Sequence, residues 1–149
     1  MKNCTQNDLL QSLAQKISCT SKSIAAIPNL LINGLELNCA QINILFCIAK
    51  ECDDGKMGRS IKDLASKLNI TSGAVSQFVD GLFKAGIIVR IENNKDRRAL
   101  RVMIDKKAQE KFEFFKKEYF ACLNKIFEGL NEHEISQLAN LMKKIKFDE

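Results

Sequence analysis

At 149 residues the chain is long enough to bury one core, and its 46% apolar and 28% charged content is that of a soluble globular protein. No apolar run approaches the ~20 residues a spanning helix needs, and the opening MKNCTQNDLLQS lacks the apolar core of a secretion signal, so the expected location is the cytoplasm, with no membrane partner. The net charge is +5, but residues 56–104 hold ten Lys or Arg against four Asp or Glu, a net of +6, while the rest of the chain sums to −1. A basic excess confined to one stretch is the footprint expected for phosphate binding.

The first predicted helix opens at Thr5, with Asp8 at capping-box spacing, and carries Leu9, Leu13, Ile17, Ile24, Ile27 and Leu31 as an apolar stripe. Pro28 kinks or ends it, because proline lacks the amide that an interior turn requires. Asn33-Gly34 reads as a turn. Asn38 and Gln41 cap a second helix through about Glu51, in which Ile42, Leu45, Phe46, Ile48 and Ala49 are expected to be largely buried. Asp53-Asp54-Gly55 breaks it, and Lys56-Met57-Gly58-Arg59 is a connector with room for a short strand. Neither the glycine spacing nor a following Lys-Ser/Thr makes this a phosphate loop.

A third helix starts at Ser60, with Asp63 at capping-box spacing and Ile61, Leu64, Ala65 and Leu68 on one face. Asn69-Ile70-Thr71 connects it to a fourth, where Val75, Val79 and Leu82 face inward. The opposite face holds Gly73, Ser76, Gln77, Asp80 and Lys84. Small and short polar side chains are what a helix lying in the DNA major groove needs, since backbone must approach closely and side chains must reach base edges. Gly86 suits a left-handed helix stop. IIVRIE and ALRVMI then alternate as two strands around an Asn93-Asn94-Lys95 tip, and the return begins with Asp96-Arg97-Arg98. A charged hairpin directly behind a helix-turn-helix is a wing, and paired arginines at its tip suit a narrow minor groove.

After the wing, Asp105 opens a helix expected to reach Glu128, with Phe112, Phe115, Tyr119, Cys122 and Ile126 recurring at three and four. Asn131 and Glu134 form a last capping box, and Ile135, Leu138, Leu141, Met142 and Ile145 line the final helix. These terminal helices carry more apolar surface than a small winged helix can cover. They either fold back on their own domain or form a homodimer interface, and the second is the reading preferred.

From Leu37-Asn38-Cys39-Ala40-Gln41 to the wing, the sequence resembles the MarR family of bacterial transcriptional regulators. The matching residues are Leu64-Ala65, Ile70-Thr71, Ala74-Val75-Ser76, Val79-Asp80-Gly81-Leu82, Gly86-Ile87-Ile88-Val89-Arg90 and Asp96-Arg97-Arg98. The chain departs from the family at Gln77, where a basic residue is common, and at Asp105 and Ala108, where Thr and Gly are usual. The resemblance implies a mainly α (α+β) winged helix-turn-helix with N- and C-terminal dimerisation helices. The whole chain, residues 1–149, is read as a single unit, with a DNA-binding lobe at 38–105 and dimerisation helices at 5–33 and 106–149.

The expected function is that of a dimeric DNA-binding regulator, a repressor of a palindromic site on double-stranded DNA. Ser72, Gly73, Ser76 and Gln77 would meet the major groove, Gln77 being the best base reader because its amide pairs bidentately with adenine. Arg98, oriented by Asp96, would enter the minor groove, as the family's wing arginine implies. Arg97, Lys95 and Arg59 are phosphate candidates. The competing reading is a winged-helix protein-interaction module with no DNA role.

An enzyme is not expected: no His is paired with a plausible nucleophile, and no cofactor fingerprint is present. The six cysteines form no CxxC pair and His133 is the only histidine, so no metal is expected and reduced thiols are. Release from DNA is expected through a small apolar or aromatic ligand, or through oxidation of Cys19 or Cys4, which lie in or near the first helix.

Overall fold

The computed structural model describes residues 5–27, 31–50, 57–92 and 100–146. It is mainly helical, with six helices and five short strands among these residues, and it divides into two compact units: residues 28–116, and residues 1–27 with 117–149.

The 28–116 unit begins with a small hairpin, β1 (Leu31–Ile32) and β2 (Leu35–Glu36), turned by Asn33 and Gly34, both at positive φ (52° and 79°). Right-handed strand twist favours such a turn, and Asn and Gly are the residues that tolerate it. Helix α2 (Cys39–Ala49) is opened by the capping box read in the sequence: Asn38 accepts the Gln41 amide and Gln41 accepts the Asn38 amide. Its inward residues are Gln41, Ile44, Leu45 and Ile48. Ala49 is exposed, contrary to expectation, and Ile42 and Phe46 are mostly but not fully covered. Nearly every residue of this helix is apolar, so periodicity alone does not choose its buried face.

Strand β3 (Arg59–Ser60) leads into α3 (Ile61–Leu68), where Ser60 Oγ accepts the Asp63 amide. The α3 C-cap, Asn69, is left-handed (φ 52°), and Ile70 N–H bonds back to the Ala65 carbonyl at 3.1 Å. Thr71 immediately caps α4 (Ser72–Lys84) through the Ala74 amide. The connector thus closes one helix and opens the next within three residues, which fixes the helix-turn-helix.

Helix α4 ends as predicted, with Gly86 at φ 69° and Ile87 N–H returning to the Leu82 carbonyl at 3.0 Å. Strands β4 (Ile88–Ile91) and β5 (Arg101–Ile104) pair antiparallel, and β3 adds to the free side of β5, giving the order β3-β5-β4. On β5, Val102 and Ile104 are buried as the alternation requires, whereas both Ile87 and Ile88 are buried at the start of β4.

The core of this unit joins Ile32, Leu37, Ile44, Leu45, Leu64, Val75, Val79, Leu82, Val102, Ala108, Phe112 and Phe115. It therefore reaches beyond residues 38–105 at both ends. Phe112 lies edge-on to Phe46, ring centres 6.0 Å apart. Helix α5 is Gln109–Ile126, starting later than Asp105, whose carboxylate instead accepts the Lys107 amide in a preceding turn.

The second unit contains α1 (Gln6–Ala25), the last part of α5 and α6 (Glu132–Met142). Both predicted capping boxes, Thr5 with Asp8 and Asn131 with Glu134, are formed. The Thr5 amide bonded to Asp8 holds that carboxyl below its ordinary value. Helix α1 stops before Pro28. Neither α1 nor α6 has a buried residue, although Leu9, Leu10, Leu13 and Ile17 on α1 and Ile135, Leu138 and Leu141 on α6 are large and apolar. No helix among the described residues is long and apolar enough to cross a membrane.

Candidate nucleic-acid interface

Helix α4 has a buried side and an open one. Val75, Val79 and Leu82 are almost wholly covered, while Ser72, Gly73, Ser76, Gln77 and Asp80 are exposed. Spacings of four and three put the first group in the core and leave the second on a contiguous polar face. Ser76 Oγ donates to the Ser72 carbonyl at 2.9 Å, which fixes its rotamer and leaves its lone pairs outward. Gly73 has an ordinary negative φ, and a methyl group there would meet nothing within 4 Å. Nothing within the fold requires glycine at that position. Gly81 differs, because its Cβ would sit 3.1 Å from the Gln41 amide nitrogen.

The end of α4 is tied to the wing. Asp80 pairs with Arg90 on β4, and the Arg90 guanidinium lies over the Phe83 ring at 4.5 Å. Arg90 therefore balances a carboxylate standing on the open face of α4, and its stacking keeps the planar group in place. On the other side of the sheet, Arg101 donates through Nε to the Met57 carbonyl at 3.0 Å and through Nη2 to the Gly58 carbonyl at 2.7 Å. Gly58 is at φ 73°, and a Cβ there would lie 2.7 Å from the Val102 carbonyl oxygen, so the approach to β3 is open only to glycine.

One predicted phosphate contact is corrected. Arg59 is 4% exposed, and its guanidinium donates to the carbonyls of Cys47 (3.0 Å) and Lys50 (3.3 Å) and pairs with Asp63 (3.1 Å). It closes the C-terminal end of α2, where carbonyls lack intrahelical partners, and is turned away from solvent. The Asp63 carboxylate takes this arginine, and the cap recorded at Ser60 is the one-way bond from the Asp63 amide.

The structure brings Ser72, Gly73, Ser76 and Gln77 onto one face. Lys95, Asp96, Arg97 and Arg98 lie outside the described residues, as does Cys4. Cys19 is exposed on α1. No cluster of His, Cys, Asp and Glu that could hold a metal occurs among the described residues. Sequence reasoning did not single out Arg90 and Arg101. The signal for Arg90 was its polar position on an alternating strand ten residues after Asp80, but only the fold brings helix and strand together.

The sequence profile of the MarR family matches residues 37–100, which span α2, the helix-turn-helix and β4 and stop just before β5. Residues 37–100 are thus similar to the MarR family. MarR-family regulators are non-enzymatic, DNA-binding transcription factors. A curated relative, an uncharacterised HTH-type transcriptional regulator YkoM of Bacillus subtilis (strain 168), is 28% identical over 86 residues, covering 58% of this chain. The alignment spans only 56% of that relative's length.

Solved structures share the fold over nearly the whole chain. CouR from Rhodococcus jostii RHA1, bound to p-coumaroyl-CoA, superposes with a TM-score of 0.71 at 17% identity, covering 97% of this chain and 100% of CouR. A mutant MarR from E. coli complexed with operator DNA gives 0.70 at 19% identity, covering 94% and 97%. In this shared fold, α3 and α4 form the helix-turn-helix of this chain and β4–β5 its wing.

Proposed function

We propose that this chain is a MarR-family transcriptional regulator that binds double-stranded DNA as a homodimer, reading a palindromic operator with α4 and acting as a repressor. The observation that carries the reading is the open face of α4, where Ser72, Gly73, Ser76 and Gln77 are exposed and Gly73 has no conformational or packing reason to be glycine. A glycine not required by the fold is accounted for if DNA backbone passes close to it. The operator complex of the E. coli relative supports DNA as the partner.

In this reading Gln77 reads a base and Ser72 and Ser76 contact phosphate or base edges. Lys95, Arg97 and Arg98, with Asp96 holding Arg98, supply wing contacts. The homodimer is supported by the uncovered apolar faces of α1 and α6, and it sets two α4 helices about one DNA turn (~34 Å) apart. Release by a small apolar or aromatic ligand draws its support from CouR, which is bound to p-coumaroyl-CoA, a molecule with an aromatic acyl group. Oxidation of the exposed Cys19 is the second route, and peroxide treatment that leaves DNA affinity unchanged in folded protein removes it.

The test is a gel shift on the duplex upstream of the protein's own coding sequence and on random duplex, over a range of salt. Gln77→Ala is expected to cost about 1–3 kcal/mol on the cognate duplex and little on random DNA. Equal loss on both duplexes means that Gln77 reads no base. Absence of binding to either duplex by the unaltered protein favours a protein-interaction module.

Gly73→Ala gives a prediction of opposite signs. Alanine is the better helix former and the site is open, but Gly73 lies in the first turn of α4, so the unfolding free energy is expected to rise by about 0.5 kcal/mol or less, below the helix-interior difference. DNA affinity is expected to fall at the same time, because the added methyl stands on the reading face. A variant that gains stability and keeps full affinity places the DNA elsewhere.

A further inference from the structure

Asn33 belongs to the β1–β2 turn, yet its side chain is engaged elsewhere. Its Nδ2 donates to the Ala85 carbonyl at 3.0 Å and to the Gly86 carbonyl at 3.3 Å, and its Oδ1 accepts Lys111 Nζ at 2.8 Å. Ala85 is the C-cap of α4, and Gly86 is the left-handed residue that follows it. The final carbonyls of a helix lack intrahelical donors, so Asn33 caps the reading helix from 52 positions earlier in the chain. Lys111 adds a cation at the negative end of the same helix.

The position of this node along the chain gives it a second meaning. The chain passes between the two compact units after Ile27 and after Lys116. Asn33 stands six residues beyond the first passage, and Lys111 stands six residues before Lys117, where the second is complete. Both residues meet in one hydrogen-bonded node at the end of α4, inside the 28–116 unit. Apolar packing through the fully buried Ile32 and Phe112 also joins these segments, but apolar contacts by themselves lack a preferred direction. Hydrogen bonds to two successive carbonyls do not.

We propose that Asn33 is a positioning residue for operator reading: it ties the end of α4 to the β1–β2 turn and to α5 and so holds the reading helix's orientation within the 28–116 unit. The proposal rests on the dimeric DNA-binding reading above. Holding the helix in advance lowers the ordering cost of binding two half-sites at one separation, and makes other separations costly. Residues buried under α4 keep the fold standing without the tie. What is lost is the preference for one spacing.

The experiment uses the full chain and a palindrome enriched from random duplex DNA by the unaltered protein, uninterrupted or with one or two base pairs inserted at its centre. Asn33→Gly keeps the left-handed turn and removes the cap. Asn33→Asp keeps the turn and an acceptor for Lys111, but replaces the donor facing two carbonyls with another acceptor. The unaltered protein is expected to lose about tenfold or more in affinity on insertion, since each base pair turns one half-site by roughly a tenth of a helical turn.

Both variants are expected to bind the uninterrupted palindrome several-fold more weakly and to lose less than about threefold on insertion. Their unfolding temperatures should stay within a few degrees of the unaltered protein's. A spacing penalty unchanged in both variants overturns the proposal. A loss equal at all spacings, accompanied by a fall in unfolding temperature, also overturns it, by giving Asn33 a purely structural role. If the unaltered protein binds no duplex, or binds with no spacing preference, the dimeric DNA-binding reading falls and the proposal falls with it.

Discussion

Arg59→Ala is expected to lower the unfolding free energy by about 2–4 kcal/mol while leaving the salt dependence of DNA binding unchanged. The residue sits in the basic stretch that carries the chain's positive excess, and charge counting treats it as one more phosphate contact. Its guanidinium is instead enclosed, bonded to the Cys47 and Lys50 carbonyls and to Asp63. Removing it strips two carbonyls at the end of α2 of their donor. Asp63 is 38% exposed, so water partly replaces the lost ion pair and the loss stays below that of a fully buried pair.

The backbone of Arg59 also pairs with Val102, so the end of α2, the start of α3 and the wing all meet at this residue. Lysine is not a substitute, because a single ammonium does not reproduce a planar fork directed at three acceptors. Urea unfolding gives the first quantity, and the slope of log affinity against log salt gives the second. A slope reduced by about 0.9, with stability intact, returns Arg59 to the DNA surface.

The second large effect concerns assembly. The unaltered chain is expected to sediment as a dimer at micromolar concentration, and Leu9→Glu combined with Leu141→Glu as a monomer. Leu9 is 60% exposed and Leu141 59% exposed on helices with no buried residue, so more than half of each residue is open to cover in the proposed dimer. Covering that remainder is worth about 1–2 kcal/mol per leucine. Forcing an unpaired carboxylate into the same place adds several more. The dissociation constant is expected to rise on the order of a thousandfold. Cleavage after Gly129, which removes α6, should do the same or leave insoluble material. A full-length chain that sediments as a monomer, unchanged on dilution, removes both the dimer and the palindrome drawn from it.

Much of the fold was legible because short-range chemistry decides it. Three capping boxes, the stop at Gly86 and the inward triad Val75, Val79 and Leu82 each follow from side chains within a few residues of one another. The open face of α4 is legible for the same reason, since it is what remains once the triad is buried. Long-range choices were not legible. Which side of α2 turns inward depends on its neighbours, because the helix is apolar nearly all round. Arg59 reads as a surface cation until the α2 carbonyls are brought to it. Asn33 reads only as a turn residue, and nothing local reveals that its amide serves a helix fifty positions away. The pairing of Asp80 with Arg90 likewise waits on the packing of β4 beside α4.

The separation of duties on α4 has a consequence for how such a protein changes over generations. Val75, Val79 and Leu82, together with the close approach of Gly81 to Gln41, hold the helix in place. Gly73, Ser76 and Gln77 face outward and support nothing inside. Substitution among the outward positions is therefore cheap for folding, since exposed changes away from caps and core usually stay within about 0.5 kcal/mol. If α4 reads DNA as proposed, a duplicated copy is free to drift toward a different operator, one outward residue at a time, with no compensating change in the core. The pressure on the inward positions runs the other way: a larger residue at Gly81 displaces Gln41, which also caps α2, and so disturbs two helices at once.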